Sequence, residues 1–321
     1  MKALSRSSAD YPEGEIMSRI IVILTLISSL VSHAKSKRFP VIAYTTENHK
    51  MEVRYPLITD IIFCFLKPTE KGGLISKFDS KWLKSEVAKA RKHKVRIFVA
   101  IGGWQNGDDS NFEKMAADEK ARKQFVTNVI KFVRNYKLDG IDMDWEYPDP
   151  GKSADNFTLL MKALSKALKA QKKMLTMAVV AGGGQGSGVK REVFDYIDRL
   201  HIMTYDGPQH ATMAEAEFGI SYWTTRGISK DKLILGVPFY SRGSKVLGFK
   251  EIIKKSPEAY RLDNYDGMKY NGVDTMKKKV KLAYEKCSGI MFWQLSHDTN
   301  DSKKSLLQTI NREIKSLNRS E

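Results

Sequence analysis

Two cysteines, Cys64 and Cys287, are all that 321 residues contain, so a disulfide framework is excluded as the source of stability. Both lie in or beside apolar runs, where buried free thiols are expected. Proline is scarce as well, at nine residues, and no stretch rich in Pro, Gly or Ser reads as a linker between domains. Six histidines occur without a His-x-x-x-His spacing, and no nucleophile elbow is present, which removes the usual zinc-hydrolase and serine-hydrolase patterns. Acidic residues are outnumbered, 37 against 54 basic, giving a formal charge of +17. Such a balance suits acidic polymers, nucleic acid or an anionic envelope. Yet the basic residues are spread through helical patterns, such as Lys162, Lys166, Lys169, Lys172 and Lys173, or Lys277, Lys278, Lys279 and Lys281. Without a zinc finger, an RNA-binding signature or a basic tail, solvated helix faces are expected and no nucleic-acid partner.

What is present begins with a short apolar segment. Arg19 precedes Ile20 to Val31, and Ser32-His33-Ala34 follows. A basic residue, an apolar core and small residues at a cleavage site describe a secretory leader, cut after Ala34. The segment is short for a membrane span, so secretion to a periplasmic or extracellular space is expected, with no stable membrane insertion after cleavage. Residues 1–16 do not suit a leader, which makes Met17 a candidate start. Residues 35–321 then form one domain, and 42% hydrophobic residues supply its core.

Eight short apolar, β-rich runs recur: Val41–Thr45, Leu57–Leu66, Val95–Ile101, Leu138–Glu146, Leu175–Ala181, Leu200–Tyr205, Leu233–Tyr240 and Gly289–Leu295. Helical stripes fill several gaps. Phe125, Val129, Phe132, Val133 and Tyr136 make one, and Phe157, Leu160, Met161, Leu164 and Leu168 another, with Asp155 or Ser153 as its expected cap. Alternating strands and helices imply a parallel sheet, and eight such units in this length fit a closed (β/α)8 barrel. The Gly182–Gly188 run lacks the Lys-Ser/Thr ending of a phosphate loop and reads as a flexible loop after the fifth strand.

The fourth run carries Asp139-Gly-Ile-Asp142-Met-Asp144-Trp-Glu146-Tyr-Pro148. On a strand, side chains alternate between faces, so Asp142, Asp144 and Glu146 share one and Ile141, Met143 and Trp145 the other. Three like charges in a column disfavour one another's ionisation, which points to acid–base catalysis or a metal site. In a barrel the carboxylates face the axis, and Glu146 stands at the strand's C-terminal end, where barrel enzymes place their chemistry. Asp144 and Glu146 are separated by only about 6.6 Å of rise along one strand. They therefore approach a substrate from one side, which is unsuited to an ordinary acid and nucleophile pair flanking a sugar.

These residues resemble glycoside hydrolase family 18 chitinases, whose fourth-strand motif D-G-x-D-x-D-x-E is present in full. Ala100-Ile101-Gly102-Gly103-Trp104 is similar to the family's third-strand S-x-G-G, with Ala100 where Ser is often found. Met203-Thr204-Tyr205-Asp206 matches M-x-Y-D, Gly236 to Arg242 resembles the seventh-strand segment, and Met291-Phe292-Trp293 the eighth-strand tryptophan. The resemblance spans roughly residues 39–316. It implies hydrolysis of chitin or another N-acetylglucosamine glycan by a monomer, with neither cofactor nor metal. It implies Glu146 as proton donor and then base, with the substrate's own acetamido oxygen as nucleophile. Asp144 would hold the acetamido N–H, Asp142 would share a proton with Asp144, and both would raise the pKa of Glu146. Tyr205 would donate to the acetamido oxygen and Trp293 would floor the sugar. Asp206, Tyr240, Arg242, Trp104, Tyr147, Tyr44, Met203 and Gly103 are the further substrate-contact candidates, and Tyr44 would partly replace the missing serine. Asp139 is expected to be structural. The short stretch between strands seven and eight implies no large α+β insertion, a shallow groove and endo-type cleavage. An endo-β-N-acetylglucosaminidase on N-glycan cores shares this chemistry; a carbohydrate-binding relative without activity usually lacks the acid, and Glu146 is intact.

Overall fold

The computed structural model describes residues 38–46 and 53–320; the expected leader lies outside the described residues. Eight strands are each parallel to both neighbours: β1 (Val41–Thr46), β2 (Asp60–Pro68), β3 (Arg96–Gly102), β4 (Gly140–Asp144), β5 (Met174–Val180), β6 (Arg199–Met203), β7 (Leu233–Pro238) and β8 (Gly289–Trp293). β1 pairs with β8 as well as β2, closing the barrel. The (β/α)8 expectation is met.

Helices cover the outside: α1 (Ser80–Lys92), α2 (Ser110–Ala117), α3 (Glu119–Asn135), α4 (Lys152–Ala170), α5 (Met213–Thr225), α6 (Phe249–Lys255), α7 (Val273–Lys286) and α8 (Leu306–Ser320). The unit after β5 has only 3-10 turns where an α-helix would sit, at Gly184–Gly186 and Arg191–Asp195. Glycines in that stretch weaken any helix there. Between β7 and β8 stand α6 and three two-residue strands, Arg242–Gly243, Asn264–Tyr265 and Met268–Lys269, in an antiparallel patch. No large insertion occupies that connection.

Strand alternation sorts the apolar residues into two layers. Ile141, Met143 and Trp145 pack outward against the helices, where Trp145 stacks on Phe112 with ring centroids 4.8 Å apart. A smaller cluster of Ile42, Tyr44, Ile62, Phe98, Ala100, Ile234 and Met291 fills the inside. The stripes on α3 and α4 bury Phe125, Val129 and Val133, and Phe157, Leu160, Met161, Leu164 and Leu168, against the strands. At the strands' N-terminal ends, fully buried Asp60 pairs with Arg96 at 2.7 Å and Arg199 at 3.1 Å. Cys64 and Cys287 are free and buried.

One expected detail is corrected. Neither Asp155 nor Ser153 caps α4: Gly151 is the N-cap, with φ 82° and no side-chain cap bond. Ser153 instead accepts from the Asp149 N–H at 3.1 Å and donates to Glu113 at 2.5 Å. Asp155 lies in the first turn, where a carboxylate complements the helix dipole, and pairs with Lys190. Among the described residues no helix is long and apolar enough to cross a membrane.

Candidate active site

The fourth strand ends at Asp144, two residues earlier than its sequence pattern suggests, and Glu146 sits in the bend beyond it. Asp142 is fully buried, Asp144 is 4% exposed and Glu146 is half-buried. The column therefore climbs from the barrel interior to its C-terminal mouth. Gly102 and Gly103 make room for it. Both have positive φ, 122° and 79°, and a Cβ on Gly102 would lie 2.1 Å from the Asp144 carbonyl oxygen. The Gly103 N–H donates to that same oxygen at 2.8 Å. A Cβ on Gly103 would strike the Phe65 ring at 2.6 Å, so only glycine fits this turn.

Each carboxyl has a distinct setting. Asp142 accepts from the Tyr44 hydroxyl at 2.7 Å on one oxygen and from the Thr176 hydroxyl at 2.5 Å on the other. Burial pushes its pKa up to about 7, against the two hydrogen bonds. Asp144 is raised well above the usual carboxylate range, first by burial and then by the charges of Glu146 and Asp142. Its Oδ1 is buried and has no partner among the described residues. Glu146 accepts from the Tyr147 hydroxyl at 2.8 Å and is pushed up to about 7. Burial is the main cause, and Asp206 adds charge repulsion.

The partners of Asp142 differ from the sequence expectation. Both its oxygens are taken by Tyr44 and Thr176, and no hydrogen bond joins it to Asp144. Tyr44 does occupy the place foreseen for it beside Ala100, its hydroxyl on the inner aspartate. For Glu146, desolvation outweighs the neighbouring aspartates as the source of its raised pKa.

Other strand ends converge on the same mouth. Tyr205 is 7% exposed, and its hydroxyl donates to the Met291 sulfur at 3.9 Å. Trp293 is half-buried and stacks on Phe65 at 5.7 Å between centroids, 6.1 Å from Tyr44. Met203 packs partly buried beside them. Asp206 accepts from the Tyr240 hydroxyl at 2.6 Å and from Arg242 Nε at 2.6 Å. Trp104 is 58% exposed, an aromatic face standing free beyond the third strand. Asp139 lies apart from all of these. It accepts from the Ile97 N–H at 2.9 Å and pairs with Arg91, a strand-fixing arrangement.

Four side chains at the site escape sequence reading. Thr176 stands opposite Asp142 in register. His201 Nδ1 lies 2.7 Å from the Tyr44 hydroxyl. Phe65 backs Trp293, and Lys67, its Nζ 5.5 Å above the Phe65 ring, feels the charges of Asp144 and Glu146. One signal was available: His201 has the same strand parity as Met203 and Tyr205, so all three face inward together. Among the described residues no group of three His, Cys, Asp or Glu is arranged to hold a metal ion.

A carboxyl of raised pKa at the barrel mouth, a buried carboxylate oxygen without a partner among the described residues and the paired rings of Trp293 and Phe65 can together support acid–base chemistry on a sugar. Residues 40–298 match the family described as Glycosyl hydrolases family 18. "Probable chitinase 2" of Drosophila melanogaster is 33% identical over 242 residues, which cover 64% of this chain and 48% of that protein. "Endochitinase" of Brugia malayi is 29% identical over 223 residues, covering 58% and 44%. The chain thus spans less than half the length of these curated relatives. Among solved structures, a family 18 chitinase from the chitin utilization locus of Flavobacterium johnsoniae superposes with a TM-score of 0.79 at 26% identity, covering 88% of this chain and 96% of that one. A chitinase from Bacteroides thetaiotaomicron gives 0.78 at 26% identity, covering 85% and 96%.

Proposed function

The chain belongs to glycosyl hydrolases family 18, and from that premise we propose that it cleaves β-1,4 bonds between N-acetylglucosamine units, in chitin or its oligosaccharides, with help from the substrate's own acetamido group. The observation that carries this reading is the open Oδ1 of buried Asp144. A desolvated carboxylate oxygen without a donor is costly, and an acetamido N–H satisfies it. Asp206, whose charge acts on Glu146, is held by Tyr240 and Arg242. It is therefore a poor nucleophile, and the missing nucleophile is supplied by the sugar.

In this mechanism Glu146 starts protonated and gives its proton to the glycosidic oxygen as that oxygen leaves the anomeric carbon. The acetamido oxygen bonds to the same carbon from the other side, giving an oxazolinium ion. Asp144 holds the nitrogen's proton and offsets the positive charge, a fixed electrostatic contribution made where charge develops. Tyr205, whose hydroxyl meets only a sulfur acceptor among the described residues, donates to the acetamido oxygen and aims it. Trp293, stiffened by Phe65, supports the apolar face of the ring. Glu146, now ionised, takes a proton from water as the water opens the oxazolinium, and the anomeric configuration is retained. Trp104, Tyr147, Tyr240, Arg242, Met203 and Gly103 shape the groove around these groups, and Tyr44 fixes Asp142.

The small patch between β7 and β8 and the exposed Trp104 support an open groove and endo-type cleavage. Export through a leader cut after Ala34, leaving residues 35–321 as the mature chain, belongs to the same proposal.

Acid form and activity go together here. Because Glu146 titrates at about 7, kcat/KM is expected to be highest on the acid side and to fall as pH rises through that value. Parallel digestion of chitin oligomers and a high-mannose glycoprotein across that range tests substrate and pH dependence together. The proposal expects oligomer cleavage; release of glycan alone, with chitin oligomers intact, would move the assignment to N-glycan cores. No cleavage of either, with oligomers still bound, would mark a binding protein.

A further inference from the structure

The barrel interior holds a titratable ring that the chemistry above does not use. His201 on β6 is 1% exposed and points inward. Its Nδ1 lies 2.7 Å from the Tyr44 hydroxyl and 3.4 Å from Asp142 Oδ1. The same Tyr44 hydroxyl lies 2.7 Å from Asp142 Oδ2. His201 Nε2 is buried and has no partner among the described residues. An unmade hydrogen bond of that kind is costly, and in a native interior it asks for a reason.

Counting protons supplies one. Tyr44 has a single hydroxyl proton and two neighbours within bonding distance. When Asp142 is ionised, Tyr44 donates to it, and the Tyr44 oxygen accepts from Nδ1–H. When Asp142 is protonated, it donates to the Tyr44 oxygen, and Tyr44 donates to a bare Nδ1. The ring then carries its proton on Nε2. Thr176 donates to Oδ1 in both cases. We infer that Asp142, Tyr44 and His201 form one proton wire, in which the charge of Asp142 and the tautomer of a neutral His201 change together. On ionisation the Asp142 proton passes to the Tyr44 oxygen and the Tyr44 proton passes to Nδ1. The proton that leaves the cluster is the one on Nε2, taken up by solvent water when the barrel interior opens, so one proton is lost and one negative charge appears, on Asp142.

The surroundings keep the ring itself uncharged. Facing it are Tyr44 from β1 and Asp142 from β4, and the charge of Arg199 acts on it from its own strand. Its register neighbours on β5 and β7 are the apolar Ala178 and Ile234. Burial, and then the Arg199 charge, hold its pKa well below the usual histidine range. His201 is a positioning residue that acts through Tyr44. It sets how readily Asp142 ionises, and through that charge the charge state of Asp144, which faces the substrate. That last consequence rests on the role proposed above for Asp144, whereas the wire rests on geometry alone.

Nitrogen NMR of the full chain, labelled at histidine and assigned with His201→Asn, tests it between about pH 5 and about pH 9. The expected result is an exchange of the protonated and bare signatures between Nδ1 and Nε2, centred where Asp142 titrates, at about 7. The ring should stay neutral throughout. Tyr44→Phe should freeze the tautomer, and Asp142→Asn should do so as well, which keeps the test decisive if one variant does not fold. A tautomer that is constant in the wild type, an imidazolium in this range, or an exchange that survives Asp142→Asn would each overturn the wire. In turnover, His201→Asn should shift the pH limb of kcat and leave KM within about twofold; a uniform loss at every pH would mark a merely structural histidine. Because the NMR reads the resting chain, it stands or falls separately from the proposed reaction.

Discussion

Glu146→Gln should lower kcat on chitin oligomers by at least about 10²-fold while oligomer affinity stays within a few fold. The glutamine keeps the shape of the side chain and its contact with the Tyr147 hydroxyl, and removes only the proton that the leaving oxygen needs. Burial supplies that proton at neutral pH, by raising the Glu146 carboxyl from 4.5 to about 7. The same shift fixes the sign of a stability effect. The folded chain binds the Glu146 proton more tightly than the unfolded chain does. Its contribution to stability is therefore full below the ordinary carboxylate range and lost as pH rises through about 7. Glutamine has no proton to lose. Its melting temperature should match the wild type near about pH 4 and exceed it by about 2–4 °C near about pH 8. Steady-state kinetics with binding calorimetry checks the first effect and thermal melts check the second. Near-wild-type turnover would remove Glu146 from the acid role.

Asp144→Ala is the second large effect, an expected loss of about 10²–10³-fold in kcat with a smaller change in KM. The carboxylate is almost fully buried, raised well above its usual pKa by desolvation, and has an oxygen without a hydrogen-bond partner among the described residues. That cost is tolerable if the charge is required as positive charge develops on the sugar. Asp144→Asn should recover little of the loss, since an amide oxygen accepts the N–H but carries no charge. Thermal stability of either variant should equal or exceed the wild type, because an uncompensated buried group has been removed. A loss confined to KM would mean that Asp144 binds substrate and transition state alike.

Much of this site was legible because β4 carries its own pattern. Strand parity separates Asp142 and Asp144 from Ile141 and Met143, and the closed barrel then puts the carboxylates inside. The glycines of the third strand, the tyrosine after the sixth and the tryptophan of the eighth were likewise readable as strand ends. What local sequence does not encode is register between distant strands. Thr176 reaches Asp142 because two strands align at those residues, and Tyr44 comes across from β1, 98 residues away in the chain. Strand parity puts Asp142 beside Asp144, whose pKa its charge raises, but the hydroxyls that bind Asp142 come from other strands. Helix capping failed at Gly151 for a related reason. Ser153 finds Glu113 on a different helix and Asp155 finds Lys190, contacts no window of sequence displays.

Substrate assistance is the central claim, and partially de-N-acetylated chitin tests it most directly. Where the sugar that would become the new reducing end lacks its acetyl group, there is no acetamido oxygen to attack and no N–H for Asp144 to hold. Mass spectrometry of early products should therefore find N-acetylglucosamine at every newly formed reducing end. Glucosamine at those ends, in proportion to its content in the polymer, would contradict the account.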